Sequence, residues 1–254
     1  MNDNTKRFSD RVADYIKYRP NYPQEVVHIL ERETKLNITK KIADIGSGTG
    51  ISSLLFLRRN YAVIGVELNK EMRSAAEQML SEFKNFKSVE GTAENTNLPD
   101  KSVDLIFSGQ AFHWFDKEKC KIEFERILKE NGNLVLVWNS RSSKSSFQKE
   151  YEKALFDNIE EYKLVNHRNI NESEISNFFF PKAMHKICID NKQVLDLQGL
   201  KGRLLSSSYC PKSGDKHDIL MEKVEQIFEK YQVNNEVEFE YELKYSGVDE
   251  YLVC

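Results

Sequence analysis

Residues 41–57 read KIADIGSGTGISSLLFL: an apolar run, three glycines at alternate positions (Gly46, Gly48 and Gly50), and a second apolar stretch of helical character. A strand that ends in a glycine-rich turn and opens a helix brings backbone N–H groups and a positive helix end up to a ligand, phosphate or carboxylate alike. The turn marks a place of binding before it names the ligand.

From residue 41 onward short apolar runs alternate with longer amphipathic ones: KIADIG, ISSLLFLRRN, YAVIGVEL, NKEMRSAAEQMLSEF, FKSVEG, SVDLIFSG, DKEKCKIEFERILKE and GNLVLVWN. The last is entered through the turn signal Asn131-Gly132-Asn133. Alternating strands and helices imply parallel pairing through right-handed crossovers, and strands apolar almost throughout are expected where helices cover both faces. The predicted fold is therefore α/β with a doubly wound sheet.

Upstream, YPQEVVHILERETKL suits an amphipathic helix with Pro23 in its first turn. Beyond Asn139 a serine-rich connection leads to a helix around EYEKALFDNIEEY and a less regular stretch to Pro181. AMHKICIDNKQV and EVEFEYELKYSGV read as strands, and the helices LDLQGLKGRLLSSS and KHDILMEKVEQIFEKY between them as an insertion before the last strand.

Composition narrows the function. With 37 basic and 40 acidic residues the net charge is −3, which lacks the one-sided basic footprint of a duplex-binding protein. Cys120, Cys188, Cys210 and Cys254 form no CxxC pair and share no ligand spacing with the histidines, so isolated thiols are expected rather than a metal or disulfide framework. His28, His167, His185 and His217 read as surface or core residues. The polar start lacks a signal-peptide core, and no segment approaches the ~20 apolar residues of a membrane span, so a soluble cytoplasmic protein is expected.

Three ligands compete for the turn. A phosphate-binding P-loop ends in Gly-Lys-Ser/Thr, whereas Gly50 is followed by Ile51-Ser52-Ser53. A dinucleotide fingerprint places its third glycine at Ile51 counting from Gly46, or at Ser53 counting from Gly48; that spacing is wrong for NAD, though related variants leave it open. ADIGSGTG resembles the first motif of the class I S-adenosylmethionine-dependent methyltransferases, an acidic residue one position before GxGxG: Asp44, Ile45, then Gly46, Gly48 and Gly50 with Ser47 and Thr49 between. Backbone N–H and C=O groups beside Asp44 suit the ammonium and carboxylate of a methionine. At the end of the next strand VIGVELN places Glu67 where a carboxylate accepts ribose hydroxyls, with Leu68 beside it to cover adenine. Thr92, Ala93 and Glu94 resemble the family segment that borders adenine, and LPDKSVDLIFSGQAFHWF its fourth strand and following loop. Ser108 and Gln110 fall at the carboxyl end of that strand, at the switch point where ligands bind in open α/β sheets.

The chain resembles the trans-aconitate methyltransferase-like (methyltransferase type 11) family through FSDRVADYIKYRPNYP, ADIGSGTG, QAFHWFD and RLLSSSYCP. The resemblance implies a Rossmann-like sheet of seven mostly parallel strands, with an N-terminal helical lid (1–36), a cofactor-binding core (37–140) and a C-terminal completion carrying a helical substrate lobe (141–254). It implies that Tyr18 and Arg19, clustered with Tyr15 and Tyr22, reach the cofactor from the lid. His113 stands as a general base or a shaper of the pocket, and Trp114, Arg203 and Tyr209 as substrate contacts. Asp116 reads as a helix N-cap. The implied reaction moves the methyl group of S-adenosylmethionine to a small-molecule acceptor such as a carboxylate, anchored by Arg19, Arg141 or Arg203, and leaves S-adenosylhomocysteine. The alternatives are a cofactor-holding module that regulates a partner, and an RNA or other nucleic-acid methyltransferase. The last lacks the Asn/Asp-Pro-Pro-Tyr/Phe motif where SGQAFHWF stands. No nucleic acid, membrane or metal partner is expected, and monomer and dimer are both compatible with the sequence.

Overall fold

The computed structural model describes residues 11–164, 172–181 and 184–248; His167, Cys254 and the first residues of the FSDRVADYIKYRPNYP motif, 8–10, lie outside them. In chain order the elements are α1 (Val12–Tyr18), α2 (Glu25–Glu33), β1 (Lys41–Ile45), α3 (Ile51–Leu57), β2 (Ala62–Val66), α4 (Lys70–Met79), β3 (Phe86–Val89) and β4 (Val103–Gly109). A 3-10 turn, Phe112–Trp114, precedes α5 (Lys117–Ile127) and β5 (Leu128–Arg141). Then come α6 (Ser146–Asn158), α7 (Glu160–Leu164), α8 (Glu172–Phe179), β6 (His185–Leu195), α9 (Leu197–Leu205), α10 (Asp215–Tyr231) and β7 (Val237–Val248).

The seven strands form one sheet in the order β3-β2-β1-β4-β5-β7-β6. β1 to β5 pair in parallel, and β7 runs antiparallel to both β5 and β6. The chain winds outward from β1 through β2 to β3, then returns to lay β4 on the other side of β1. The strand order reverses there, which leaves a crevice at the carboxyl ends of β1 and β4.

The period of two along each central strand builds a core on both faces. Ala43, Ile45, Ile106, Leu134 and Leu136 join Phe124 of α5 and Phe178 of α8 on one side. Ile42, Val63, Leu105, Phe107 and Val135 join Leu30 of α2 and Phe56 of α3 on the other. A third cluster, among them Tyr151, Leu200, Val224 and Phe239, packs α6, α9 and α10 against β7. Asn69, Asp116, Ser145 and Asp196 each cap a helix by accepting a backbone N–H three residues on.

Four local expectations change. The Asn131-Gly132-Asn133 turn is absorbed into β5, with Asn131 at φ 61° and a register shift against β4 between Val103 and Leu105: a bulge rather than a strand start. Pro23 stands before α2 rather than inside it, its carbonyl accepting from Val26 N–H. The helix around residues 150–162 is two, with Ile159 in extended backbone between them and buried in the third core. The stretch before Pro181 contains a regular helix, α8, whose Ile175, Phe178 and Phe179 are buried. Among the described residues no helix is long and apolar enough to cross a membrane, and no group of three His, Cys, Asp or Glu side chains could hold a metal ion.

Candidate active site

At the crevice a cleft of about 450 Å3, part of it open to solvent, is lined by the turn after β1, by Gly109 and Gln110 after β4, by Asn139 of β5 and by Tyr15, Arg19, Pro20 and Tyr22 of the N-terminal segment. The turn takes its shape from three left-handed glycines, Gly46 at φ 70°, Gly48 at 56° and Gly50 at 84°. A Cβ on Gly46 would stand 2.6 Å from Ala111 Cβ and one on Gly50 2.6 Å from Leu80 Cδ1, whereas one on Gly48 would meet nothing within 4 Å. Gly46 and Gly50 are packed; Gly48 faces open space.

The turn differs from expectation in its amides. Gly46 and Ser47 N–H donate to Val66 O, Gly48 N–H to Glu67 Oε2 and Gly50 N–H to Ser47 O. These four amides are bonded within the fold rather than offered to a ligand. Asp44, wholly buried, accepts from Ser52 Oγ at 2.6 Å and Ser53 Oγ at 2.7 Å through Oδ2, while its Oδ1 and the likewise buried Thr49 Oγ1 have no partner among the described residues. Burial pushes Asp44 up to about 6 against the pull of the two serine hydroxyls. Burial also raises Glu67, although the Asn69 and Gly48 amides favour its charged form.

Leu68 is exposed beside Glu67. Thr92 Oγ1 accepts from the Glu94 and Asn95 amides, Ala93 is buried in the core, and Glu94 Oε1 accepts from Asp116 N–H, tying this loop to the start of α5. Ser108 Oγ donates to Ile45 O at 3.0 Å and so joins the ends of β4 and β1. Gln110, at φ 61°, donates through Nε2 to Asn139 O and accepts Asn139 N–H through Oε1. Asp44, Gly50, Glu67, Leu68, the 92–94 segment and Ser108 thus surround the crevice without lining the cleft. His113 and Trp114 sit exposed on the 3-10 turn, their rings 4.6 Å apart, also outside the lining.

The N-terminal segment is fastened over the cleft from the far side. Arg11 donates to the carbonyls of Leu205, Ser207 and Cys210, and Arg19 Nη2 to Ser206 O. Tyr18 does not line the cleft; it packs on Gly202 of α9 so closely that a Cβ there would overlap its ring. Arg19 lies 4.8 Å over the Tyr15 ring, with a buried Nε that has no acceptor among the described residues; burial and nearby Arg203 lower its pKa to about 10.

Behind Arg19, Arg203 is buried with Nε 3.0 Å from Tyr241 Oη, and Arg141 pairs with Glu152 while donating to Tyr209 and Tyr162. Burial pushes the Tyr209 phenol up, but Arg141 and Arg203, helped by Ser207, pull it further down, below the ordinary tyrosine value. Arg203 and Tyr209 stand behind the cleft rather than in its wall.

Three contributors escaped the sequence reading. Ser52 and Ser53 are a polar pair at the head of an otherwise apolar helix, both buried on Asp44. Asn139 is the polar residue that closes the apolar run of β5, a position that points to the crevice once the strand order is known.

Residues 43–136 match the family model for a methyltransferase domain. An uncharacterized methyltransferase of Schizosaccharomyces pombe is 34% identical over 139 residues, 54% of this chain and 54% of that protein. An uncharacterized methyltransferase of Mycobacterium tuberculosis is 31% identical over 148 residues, 58% of each. The chain spans little more than half the length of these curated relatives. In fold, a candidate type II methyltransferase from Anaeromyxobacter dehalogenans superposes with a TM-score of 0.68 at 17% identity, over 91% of this chain and 98% of that one.

Sheet order, glycine turn and these likenesses give the chain the Rossmann-like fold of the class I methyltransferases. Its sequence likeness to the methyltransferases lies in the domain of residues 43–136. The residues present fit the cofactor: Gly48 leaves room, the buried Thr49 oxygen on the cleft wall and the Asp44 oxygen behind Ser52 suit an ammonium, and the buried Arg19 Nε suits a carboxylate.

Proposed function

We propose that this chain transfers the methyl group of S-adenosylmethionine to a small-molecule acceptor, a carboxylate, and releases S-adenosylhomocysteine. Residues 1–36 act as the lid, 37–140 hold the cofactor and 141–254 carry the acceptor lobe. The observation that carries this reading is the pairing, on one cleft, of a buried Thr49 oxygen with a buried N–H at Arg19, both without a partner among the described residues, with the Asp44 oxygen buried behind Ser52 of the cleft wall.

When bound, the cofactor supplies a methyl group already activated on a sulfonium, so the protein's task is alignment and exclusion of water. Asp44 and Thr49 receive the ammonium and Arg19 the carboxylate. Gly46, Ser47, Gly48 and Gly50 shape the approach, Glu67 accepts the ribose hydroxyls with Leu68 over the adenine, and Thr92, Ala93 and Glu94 border the base. Ser108 and Gln110 hold the ends of β1, β4 and β5 in register beneath it. Tyr18 docks the lid on α9.

A carboxylate acceptor is ionised at neutral pH and needs no base; it needs positive potential. Arg203 and Arg141 supply that potential behind Arg19, with Tyr209 between them, and Trp114 flanks the acceptor at the rim. His113 serves as a base only where the acceptor is a hydroxyl or an amine.

The test is a screen of carboxylic acids, phenols and amines incubated with the purified chain and S-adenosylmethionine, read by product mass. Methyl esters are the expected products; methylated amines alone would overturn the acceptor class, and methylated RNA in a parallel arm would overturn the small-molecule reading.

A further inference from the structure

We propose that Asn139 is a specificity-determining residue on the acceptor side of the cleft: its side-chain N–H donates to a carbonyl-type oxygen of the methyl acceptor, and Asn191 is the positioning residue that aims it. The inference rests on the methyltransferase reading and deepens it.

Asn139 is 7% exposed, in the cleft wall, and its Nδ2 has no acceptor among the described residues. Both of its backbone polar groups are clamped by Gln110, the N–H on Oε1 at 3.1 Å and the carbonyl under Nε2 at 3.3 Å. Its Oδ1 accepts from Asn191 Nδ2 at 2.9 Å.

The orientation of this amide follows from its neighbours. Asn191 Nδ2 donates at once to Asn139 Oδ1 and to Asn21 O, the latter at 2.9 Å, while Asn191 Oδ1 accepts Lys192 N–H. A flipped Asn191 would set its oxygen against the Asn21 carbonyl, so Asn191 presents a donor and Asn139 must answer with its oxygen. Asn139 Nδ2 is then the free end.

A buried donor without an acceptor loses its hydration and gains nothing in return, so a fold that pins one in place on a cleft wall leaves a vacancy for a ligand oxygen. The group is uncharged, so it recognises a neutral amide or ketone oxygen as well as a carboxylate, and it rejects an ammonium. Because Asn191 also holds Asn21, between α1 and α2, the same amide couples the aim of Asn139 to the placement of the N-terminal segment.

The test uses the full chain saturated with S-adenosylhomocysteine and follows acetamide and acetate by ligand-observed NMR, with ethylammonium as control. Asn139→Asp keeps the oxygen that Asn191 needs but removes the donor, so the chain folds. It weakens acetamide about tenfold and acetate further, through the added charge. Asn191→Ala weakens both probes as well, because the Asn139 amide is then free to turn. Ethylammonium binds neither the parent chain nor Asn191→Ala, and the affinity for S-adenosylhomocysteine stays within about twofold in both variants.

Equal probe binding by the parent chain and Asn139→Asp, or no probe binding by the parent, overturns the proposal. Loss of S-adenosylhomocysteine affinity in Asn139→Asp as large as the loss of acetamide overturns it too, by assigning the donor to the cofactor. Failure of the parent chain to bind S-adenosylhomocysteine at all instead removes the methyltransferase reading on which the proposal stands.

Discussion

Gly48 donates its backbone N–H to Glu67 Oε2 at 2.9 Å, so the turn after β1 and the carboxylate after β2 form one hydrogen-bonded unit. Glu67 Oε1 accepts Asn69 N–H at 2.7 Å, and Asn69 in turn caps α4. Three elements around the crevice thus meet on a single side chain.

Glu67→Ala removes this junction together with the contact proposed for the ribose. Hydrogen bonds to a charged group are worth about 1.5–3 kcal/mol each, so S-adenosylhomocysteine affinity falls about 10- to 100-fold. Glu67→Gln, which keeps one acceptor oxygen, falls in between. Calorimetric titration of the three chains checks the order.

Asp44 sets opposite pH dependences for folding and binding. Its folded pKa of about 6 lies above the unfolded carboxylate value, so its contribution to stability is fully present below the unfolded pKa and is lost as pH rises through about 6. An ammonium partner requires the ionised form, so S-adenosylhomocysteine affinity rises over that same window, by up to about tenfold per pH unit below it. Titrations between about pH 5 and about pH 8 show this slope in the parent chain; Asp44→Asn flattens it, binds more weakly at neutral pH, and stabilises the free protein there.

Gly48→Ala and Gly46→Ala separate binding from folding. An L-residue at the φ of 56° observed for Gly48 costs about 1–2 kcal/mol, but the new methyl stands in open space. Its Tm falls by a few degrees, about 2–4 °C per kcal/mol for a chain of this size, and its cofactor affinity falls because the methyl occupies the cleft. Gly46→Ala adds the collision with Ala111 and loses more Tm than Gly48→Ala. Thermal melts beside titrations resolve the two.

Local spacing made much of this legible. The βαβ rhythm announced the parallel core, and Asp44, Gly46, Gly48, Gly50 and Glu67 fell at the strand ends their spacing required. Asp116 was readable as a cap because capping is settled within three residues. Tertiary partnership hid the rest. The turn amides look available in sequence, yet Val66 and Glu67, from the next strand, take up those of Gly46, Ser47 and Gly48. Arg203 reads as a substrate contact, but α9 and β7 bury it on Tyr241 behind the cleft. Asn139 gains meaning from Asn191, 52 residues away. The break at Ile159 and the helix α8 were hidden because their periodicity is short and interrupted.

Gly202→Ala pushes the Tyr18 ring off α9 and loosens α1. The expected outcome is faster proteolysis within residues 12–18 and weaker S-adenosylhomocysteine binding, because Arg19 leaves the cleft. Adding Tyr18→Ala gives the new methyl room and recovers part of the protection, so the two changes are not additive. Limited proteolysis of the single and double variants measures the coupling.

The central claim is that this cleft takes S-adenosylmethionine, and parallel calorimetric titrations of the purified chain with S-adenosylhomocysteine and with NAD test it most directly. S-adenosylhomocysteine binds saturably, less tightly in Asp44→Ala, and NAD gives no heat. Saturable binding of NAD with none of S-adenosylhomocysteine would contradict it.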